Sequence, residues 1–358
     1  MGLQTCHAPV GNQEQVAIIF LHIIADKMNI TDKILRKAKN GCQQLTDKLL
    51  EKRYPLLNPY LRRKAMADGA LGVVLMLHRV AEHDKHRLKP NEDLKVSPTF
   101  LQKVIDKYRK AGFCFLSLNE VYEVLTGKIS IDKPFVSFTM DDGYLDNFTT
   151  AYPIFKRNNV PFCIFVATDF PDHHAILWWI TIENLILEND RIILSDDTIY
   201  TCQTYQQKWD TFRLLREKIL SLDQKQLLPS LQALFSNYDI DWHASVSKMA
   251  MQWEHIAKLG REPLCTIGGH TMSHPSFTSL SLEDIKAEID GGIKKLNTVI
   301  DYDIHHFAYP YGSIREDGLR EYEFLKSFPF KTAFVSYGDV ITENDHNNMT
   351  HLPRFMLI

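Results

Sequence analysis

The sequence predicts an α/β fold: a distorted (β/α) barrel with a helical extension before it and a helical insertion within it. Three observations carry this. Short apolar runs of strand length alternate with stretches of helical spacing from residue 71 to about 170, and again after residue 264. Polar clusters follow four of those runs, at His78, Asp141-Asp142, His270 and Tyr309-Pro310. A barrel of parallel strands gathers such strand-end residues on one rim, where its active site lies.

Residues 1–68 read as a helical extension. Apolar positions recur at helical spacing through Ile30, Ile34, Leu35 and Ala38, then Leu45, Leu49 and Leu50, until Pro55 and Pro59 break the pattern. Residues 69–358 form the second unit. Gly72 to Leu77 is an apolar strand delivering His78 and Arg79 at its end. Ser97-Pro98 caps and opens a helix with Phe100, Leu101, Val104, Ile105 and Tyr108 on one face. A strand at Phe113-Cys114-Phe115 and a helix from Leu118 to Leu125 follow, then a strand from Pro134 to Thr139 that ends on Asp141-Asp142. The helix after it carries Ala151, Ile154 and Phe155, and Pro161 to Val166 is the next strand. Residues from about 171 to 260 interrupt the alternation with a helical insertion. The alternation resumes with Leu264 to Ile267, a helix from Leu282 to Ile300, and short strands at His306-Phe307-Ala308 and Lys331 to Val335.

Composition narrows the function. A 358-residue chain with 45% hydrophobic content has ample core for a large domain. A net charge of −3 argues against a nucleic-acid binder, which carries a basic excess. Arg62-Arg63-Lys64 is a local basic cluster that reads as a solvated helix face. None of the six cysteines stands at CxxC spacing, and Cys114, Cys163 and Cys265 sit in apolar runs, so the chain reads as reduced and cytoplasmic. No leader is legible, and the run from Val16 to Ile24 is too short to span a bilayer, which leaves peripheral membrane contact open. The sequence sets no oligomeric state.

The chemistry is concentrated in two places. Asp141-Asp142-Gly143 ends an apolar strand, and adjacent acids there repel unless a cation lies nearby. His270 and His274 are spaced to put two imidazoles on one side of a helix or tight turn. Carboxylates and imidazoles together make a hydrolytic metal site with positions left for water and substrate. His173-His174 and His305-His306 are read as solvated pairs. Of Trp178 and Trp179, one is expected in the core, and the other is a candidate for stacking on a ligand. Trp253 reads as a packing residue.

Taken together, these motifs resemble those of the NodB-type polysaccharide deacetylases, carbohydrate esterase family 4. Thr139-Met140-Asp141-Asp142-Gly143 is similar to that family's TFDDG motif, with Met in place of Phe. His270-Thr271-Met272-Ser273-His274 matches its H-[ST]-x-x-H motif in full. Ala308-Tyr309-Pro310-Tyr311 matches R-x-x-P-Y in part: the Arg is missing, as in FAYPYG-type members. The resemblance runs over about residues 70–358 and implies the NodB-type barrel.

It also implies roles. Asp142, His270 and His274 would bind a divalent metal, usually zinc, and Asp141 would be the general base. The backbone N–H of Tyr144 would face the oxyanion, and Tyr309, Pro310 and Tyr311 would shape the substrate groove. His78 resembles the general acid of circularly permuted members, with His351 as the alternative. Arg354, with Arg79 behind it, is the candidate to replace the missing orienting Arg. The implied activity is removal of an N-acyl group, chiefly acetyl, from an amino sugar in a glycan or its precursor. Hydrolysis of another C–N bond, such as a formamide on a lipid-linked sugar, and glycan binding without catalysis are the alternatives.

Overall fold

The computed structural model of the chain describes residues 69–313 and 315–357. The readings on the extension, namely its helices, the run from Val16 to Ile24 and Arg62-Arg63-Lys64, lie outside the described residues.

Eight strands form one parallel sheet curved into a half-barrel. They are β1 (Gly72–Leu77), β2 (Cys114–Phe115), β3 (Phe135–Met140), β4 (Phe162–Val166), β5 (Cys265–Gly269), β6 (His306–Ala308), β7 (Thr332–Phe334) and β8 (Phe355–Met356). The lateral order is β7-β6-β5-β4-β3-β1-β8. Strand β3 pairs with β1 along its length, while its other side takes β2 at Phe135 and Val136 and β4 from Phe138 to Met140. Every residue of β1 and β3 is buried. Parallel strands covered on both faces are apolar without alternation, which is why these two stand out as continuous runs.

Residues 352–357 bridge the two edges of the sheet. The Leu352 N–H donates to the Ala333 carbonyl at 2.8 Å, and the Val335 N–H donates to the Leu352 carbonyl at 3.0 Å. Farther along the same strip, the Leu357 N–H donates to the Met76 carbonyl at 2.9 Å. Arg354 lies between these attachments and is fully buried.

The helices pack around the sheet. α1 (Pro98–Lys110) is capped by Ser97, whose Oγ accepts from the Phe100 N–H at 3.1 Å, and buries Leu101, Val104, Ile105 and Tyr108. α2 (Leu118–Leu125) opens on a reciprocal Ser117–Glu120 capping box. α3 (Tyr152–Asn158) follows β3 through a π-helical turn at Asn147–Ala151. α4 (Trp178–Glu188), α5 (Tyr205–Leu220), α6 (Leu227–Leu234) and α7 (Trp253–Gly260) lie between β4 and β5. Helices α4 to α6 share an apolar cluster of their own, separate from the cluster under β3 and β4. Glu183 of α4, fully buried, ties that cluster to the rim: it accepts from Asn91 Nδ2 at 2.8 Å, from the Leu88 N–H and from Arg87. α8 (Leu282–Leu296) and α9 (Leu319–Leu325) complete the layer.

Three features differ from the sequence reading. Within the helical stretch after β4, Arg191–Ile193 and Ile199–Thr201 pair as an antiparallel hairpin. Its β-branched residues and the Asp196-Asp197 turn, with Asp197 at φ +60°, favour that geometry locally. Helix α8 stops at Leu296, short of Ile300; the Thr298 hydroxyl donates to the Lys295 carbonyl and competes with the next helical bond. His306 is fully buried rather than solvated, with Nδ1 2.7 Å from Thr332 Oγ1 and Nε2 3.2 Å from Asn119 Oδ1. Among the described residues no helix is long and apolar enough to cross a membrane.

Candidate metal centre and active site

Strand β3 ends on Met140, and the chain turns sharply there. The Asp141 N–H still donates to the Leu77 carbonyl at 3.0 Å, so Asp141 continues the ladder with β1. Asp142 leaves it with φ +75°, in the left-handed region. Its carbonyl accepts from the Ala167 N–H at 3.1 Å, which anchors the turn to the end of β4. Successive side chains therefore leave the strand end in different directions, and the two acids acquire different partners.

Asp142 faces the histidines. Its Oδ1 is 3.4 Å from His270 Nε2 and 3.4 Å from His274 Nε2. Those separations are long for hydrogen bonds. They match the ~3.3 Å expected between two ligand atoms that each stand ~2.0 Å from a tetrahedral zinc ion. Asp142 Oδ1 is buried without a hydrogen-bond partner among the described residues. His270 Nδ1 lies 2.7 Å from the Ala308 carbonyl, which selects the tautomer with Nδ1 protonated and leaves the Nε2 lone pair for a cation. Burial pushes His274 down to about 4, so its imidazole is neutral as a ligand must be. Burial also works to raise Asp142, but the imidazoles around it prevail and hold it below the ordinary carboxylate range. The donor set fits a divalent ion.

The His270–His274 segment is a tight turn, not a helix. Thr271 and His274 have φ +70° and +59°. A β-branched residue at positive φ is strained and persists only when its surroundings hold it. Here α8 does so. Glu288 Oε2 accepts from the Met272 and Ser273 N–H groups at 3.0 and 2.9 Å, and Oε1 accepts from the Ser273 hydroxyl at 2.8 Å. Gly292 lets the helix approach, since a Cβ there would stand 2.8 Å from the Thr271 carbonyl oxygen.

Asp141 faces Arg354. Nη1 and Nη2 of the guanidinium donate to its two carboxylate oxygens at 2.7 and 2.8 Å, and Nη1 also reaches Thr139 Oγ1 at 3.1 Å. The guanidinium lies over the Phe165 ring at 5.4 Å. Burial would raise the pKa of Asp141, but Arg354 and the His270 imidazole more than offset it, so the carboxyl sits below its ordinary range. Ala308, at the end of β6, contributes its carbonyl to His270 instead of a cation to Asp141.

His78 follows β1. Its carbonyl accepts from Asn147 Nδ2 at 2.7 Å, and its Nδ1 is buried with no partner among the described residues. Arg79 turns away, pairing with Asp146 at 2.9 Å. His351 stacks on Tyr322 with ring centroids 4.7 Å apart and does not line the cavity.

A cavity of about 280 Å³ opens on the metal side, lined by His78, Asp141, Asp142, His270 and His274. Trp178 and Trp179 are both buried in the apolar cluster of α4 to α6, and both also line the cavity. Trp179 Nε1 donates to the Tyr144 hydroxyl at 3.0 Å and Trp178 Nε1 to the Tyr311 hydroxyl at 3.3 Å. The Tyr144 N–H has no acceptor among the described residues. Tyr311, at φ +61°, lies edge-on to His274 at 4.6 Å and forms part of the wall. Tyr309 and Pro310 do not line it. The Tyr309 ring packs against Phe307 and Tyr322, and its hydroxyl donates to the Thr350 carbonyl at 2.7 Å. At the end of β6, Ala308 and Tyr309 join different apolar clusters, as alternation along a strand dictates, so Tyr309 is committed to packing.

Sequence reasoning did not single out Asn91, Phe212 or Arg216, which also line the cavity, or Glu288. Each sits in an ordinary amphipathic or loop pattern, where no local signal marks it.

A sequence profile described as polysaccharide deacetylase matches residues 128–326, more than half of the chain. Among curated proteins none matches. Solved structures share the fold. The Streptococcus pyogenes deacetylase PplD, in complex with acetate, superposes with a TM-score of 0.53 at 15% identity, covering 80% of this chain and 92% of that one. IcaB from Ammonifex degensii gives 0.52 at 19% identity, over 81% and 93%. A de-N-acetylase from Aggregatibacter actinomycetemcomitans gives 0.51 at 13% identity, over 79% and 93%.

Proposed function

The chain belongs to the polysaccharide deacetylase family, and on that premise we propose that it removes an acetyl group from the nitrogen of an amino sugar, with zinc held by Asp142, His270 and His274. The family makes it a metal-dependent hydrolase of carbon–nitrogen bonds in N-acylated carbohydrates. The observation that carries the residue assignment is the division of the two adjacent acids, Asp142 toward two imidazoles and Asp141 toward Arg354.

When bound, zinc supplies Lewis acidity that activates water near neutral pH and polarises an acyl carbonyl. Asp141 takes the proton from the attacking water; its carboxylate is kept ionised and aimed by the two-pronged Arg354 contact. The unpaired Tyr144 N–H donates to the negative charge that develops on the acyl oxygen. His78, which lines the cavity, gives a proton to the departing amine as the C–N bond breaks. The products are acetate and the free amino sugar. Tyr311 and the two tryptophans shape the wall against which the sugar lies. We assign catalysis to residues 69–358, with the 171–260 insertion supplying part of that wall. The free thiols of Cys114, Cys163, Cys202 and Cys265 support a cytoplasmic setting and action on a precursor of a surface glycan.

The test is metal analysis coupled to measurement of acetate and formate release from N-acylated amino sugars and oligosaccharides. Acetate release that a chelator abolishes and zinc restores is the expected result. Asp141→Asn should keep its metal and lose turnover. Undiminished release by Asp141→Asn, or by metal-stripped protein, would remove the mechanism; formate in place of acetate would change the acyl group.

A further inference from the structure

The geometry points to Arg216 as an anion-binding residue of the substrate cavity, so that the amino sugar taken there carries a phosphate or a carboxylate. The inference rests on the deacylase reading only for the identity of the sugar. Arg216 belongs to α5, in the insertion and not in the barrel, and lines the cavity one helical turn after Phe212. The charges of the reaction centre are already matched without it. Asp141 is paired with Arg354, and Asp142 faces the two imidazoles. Arg216 is therefore a positive charge that the proposed hydrolysis does not use.

Its guanidinium is only loosely held, in an ion pair with the buried Glu316. It donates no hydrogen bond among the described residues, and Nη2 lies 3.8 Å from Glu316 Oε1, beyond hydrogen-bond reach. Glu316 in turn accepts from the Ser313 hydroxyl. The side chain of Arg216 is 38% exposed, and the residue lines the cavity.

The surroundings favour a ligand anion. Met76, Leu94, Trp178, Trp179 and Met356 make much of the wall apolar, which strengthens an ion pair relative to open water. A guanidinium offers a planar fork that matches phosphate or carboxylate oxygens two at a time. A volume of about 280 Å³ stands at the small end of small-molecule sites, so it suits one substituted sugar better than several linked ones.

Calorimetric binding of N-acetylglucosamine, its 1-phosphate and an N-acetylated hexosaminuronic acid to the zinc-loaded full chain tests this. The wild type should bind one of the two anionic sugars roughly ten- to hundredfold more tightly than the neutral one, the range of a charge-assisted contact. The phosphate and carboxylate arms show which anion is preferred. Arg216→Gln should bring the anionic-to-neutral ratio close to one at an unchanged thermal midpoint, and Arg216→Lys should keep part of it. Equal binding of all three sugars by the wild type, or no detectable binding of any, overturns the inference. So does a ratio that survives in Arg216→Gln, because the anion is then held by the metal. Acetate release from the same sugars is scored separately. Anion preference without release keeps the Arg216 assignment and removes the deacylase reading, whereas release without preference does the reverse.

Discussion

Arg354 holds both carboxylate oxygens of Asp141, at 2.7 and 2.8 Å, across 213 residues of sequence. Both side chains are buried, and the pair joins the strip that bridges the sheet edges to the end of β3, next to Asp142. Removing one partner of such a pair leaves an uncompensated buried charge.

Arg354→Met should therefore cost about 3–5 kcal/mol of stability and raise the pKa of Asp141. Arg354→Lys keeps the charge but not the fork, and should recover part of the stability and less of the rate. Urea unfolding and kcat measured across pH check both variants, with metal content as the control that Asp142, His270 and His274 are undisturbed.

His270→Ala or Asp142→Ala should abolish stoichiometric metal binding, measured by elemental analysis after dialysis. In contrast, His78→Ala should keep full metal content and lower kcat by roughly 10²–10⁴-fold, the range for a positioned proton donor. The loss should be smaller for substrates whose leaving amine is less basic. A uniform loss across amines would remove the donor role of His78.

Gly292→Ala should push α8 away from the Thr271 carbonyl, which a new Cβ would approach to 2.8 Å. Overpacking of this kind costs about 1–3 kcal/mol. Because the same helix carries Glu288 to the Met272–Ser273 turn, metal affinity should fall together with stability, as competition with a fluorescent chelator would show.

Two buried groups set opposing pH trends. Burial lowers His306 from 6.5 to about 3, so the unfolded chain binds its proton first, and the stability it contributes is lost as pH falls from about 6.5 toward 3. Burial raises Asp317 from 3.8 to about 7, so the folded chain keeps its proton, and stability is lost as pH rises from about 4 to 7. Urea midpoints at pH 5 and 8 should show His306→Gln relatively less acid-sensitive than wild type, and Asp317→Asn relatively less sensitive to the rise.

Strand ends were the legible part of this chain. β1 and β3 are buried on both faces, so their apolar runs are unbroken, and the polar residues that follow them stand out in sequence. Arg354 could be singled out because Ala308 occupies the place of an orienting cation, which another cation must replace. Tyr309 shared a motif with Tyr311, but strand alternation sends the first into packing and a positive φ returns the second to the cavity. His306 and Glu288 owe their environments to Asn119, Thr332 and a turn on another element, contacts that local patterns do not encode. The hairpin at residues 191–201 was missed because a few β-branched residues do not outweigh a long helical surrounding.

The strip of residues 352–357 ties repair of the seam to activity. If β1 to β7 pair before this strip docks, Asp142, His270 and His274 come together while Asp141 still lacks its cation. Such long-range closure is entropically the slowest kind of contact to gain. Metal uptake should therefore return early in refolding and turnover late, and the lag between them would measure how fast the last edge finds its partner.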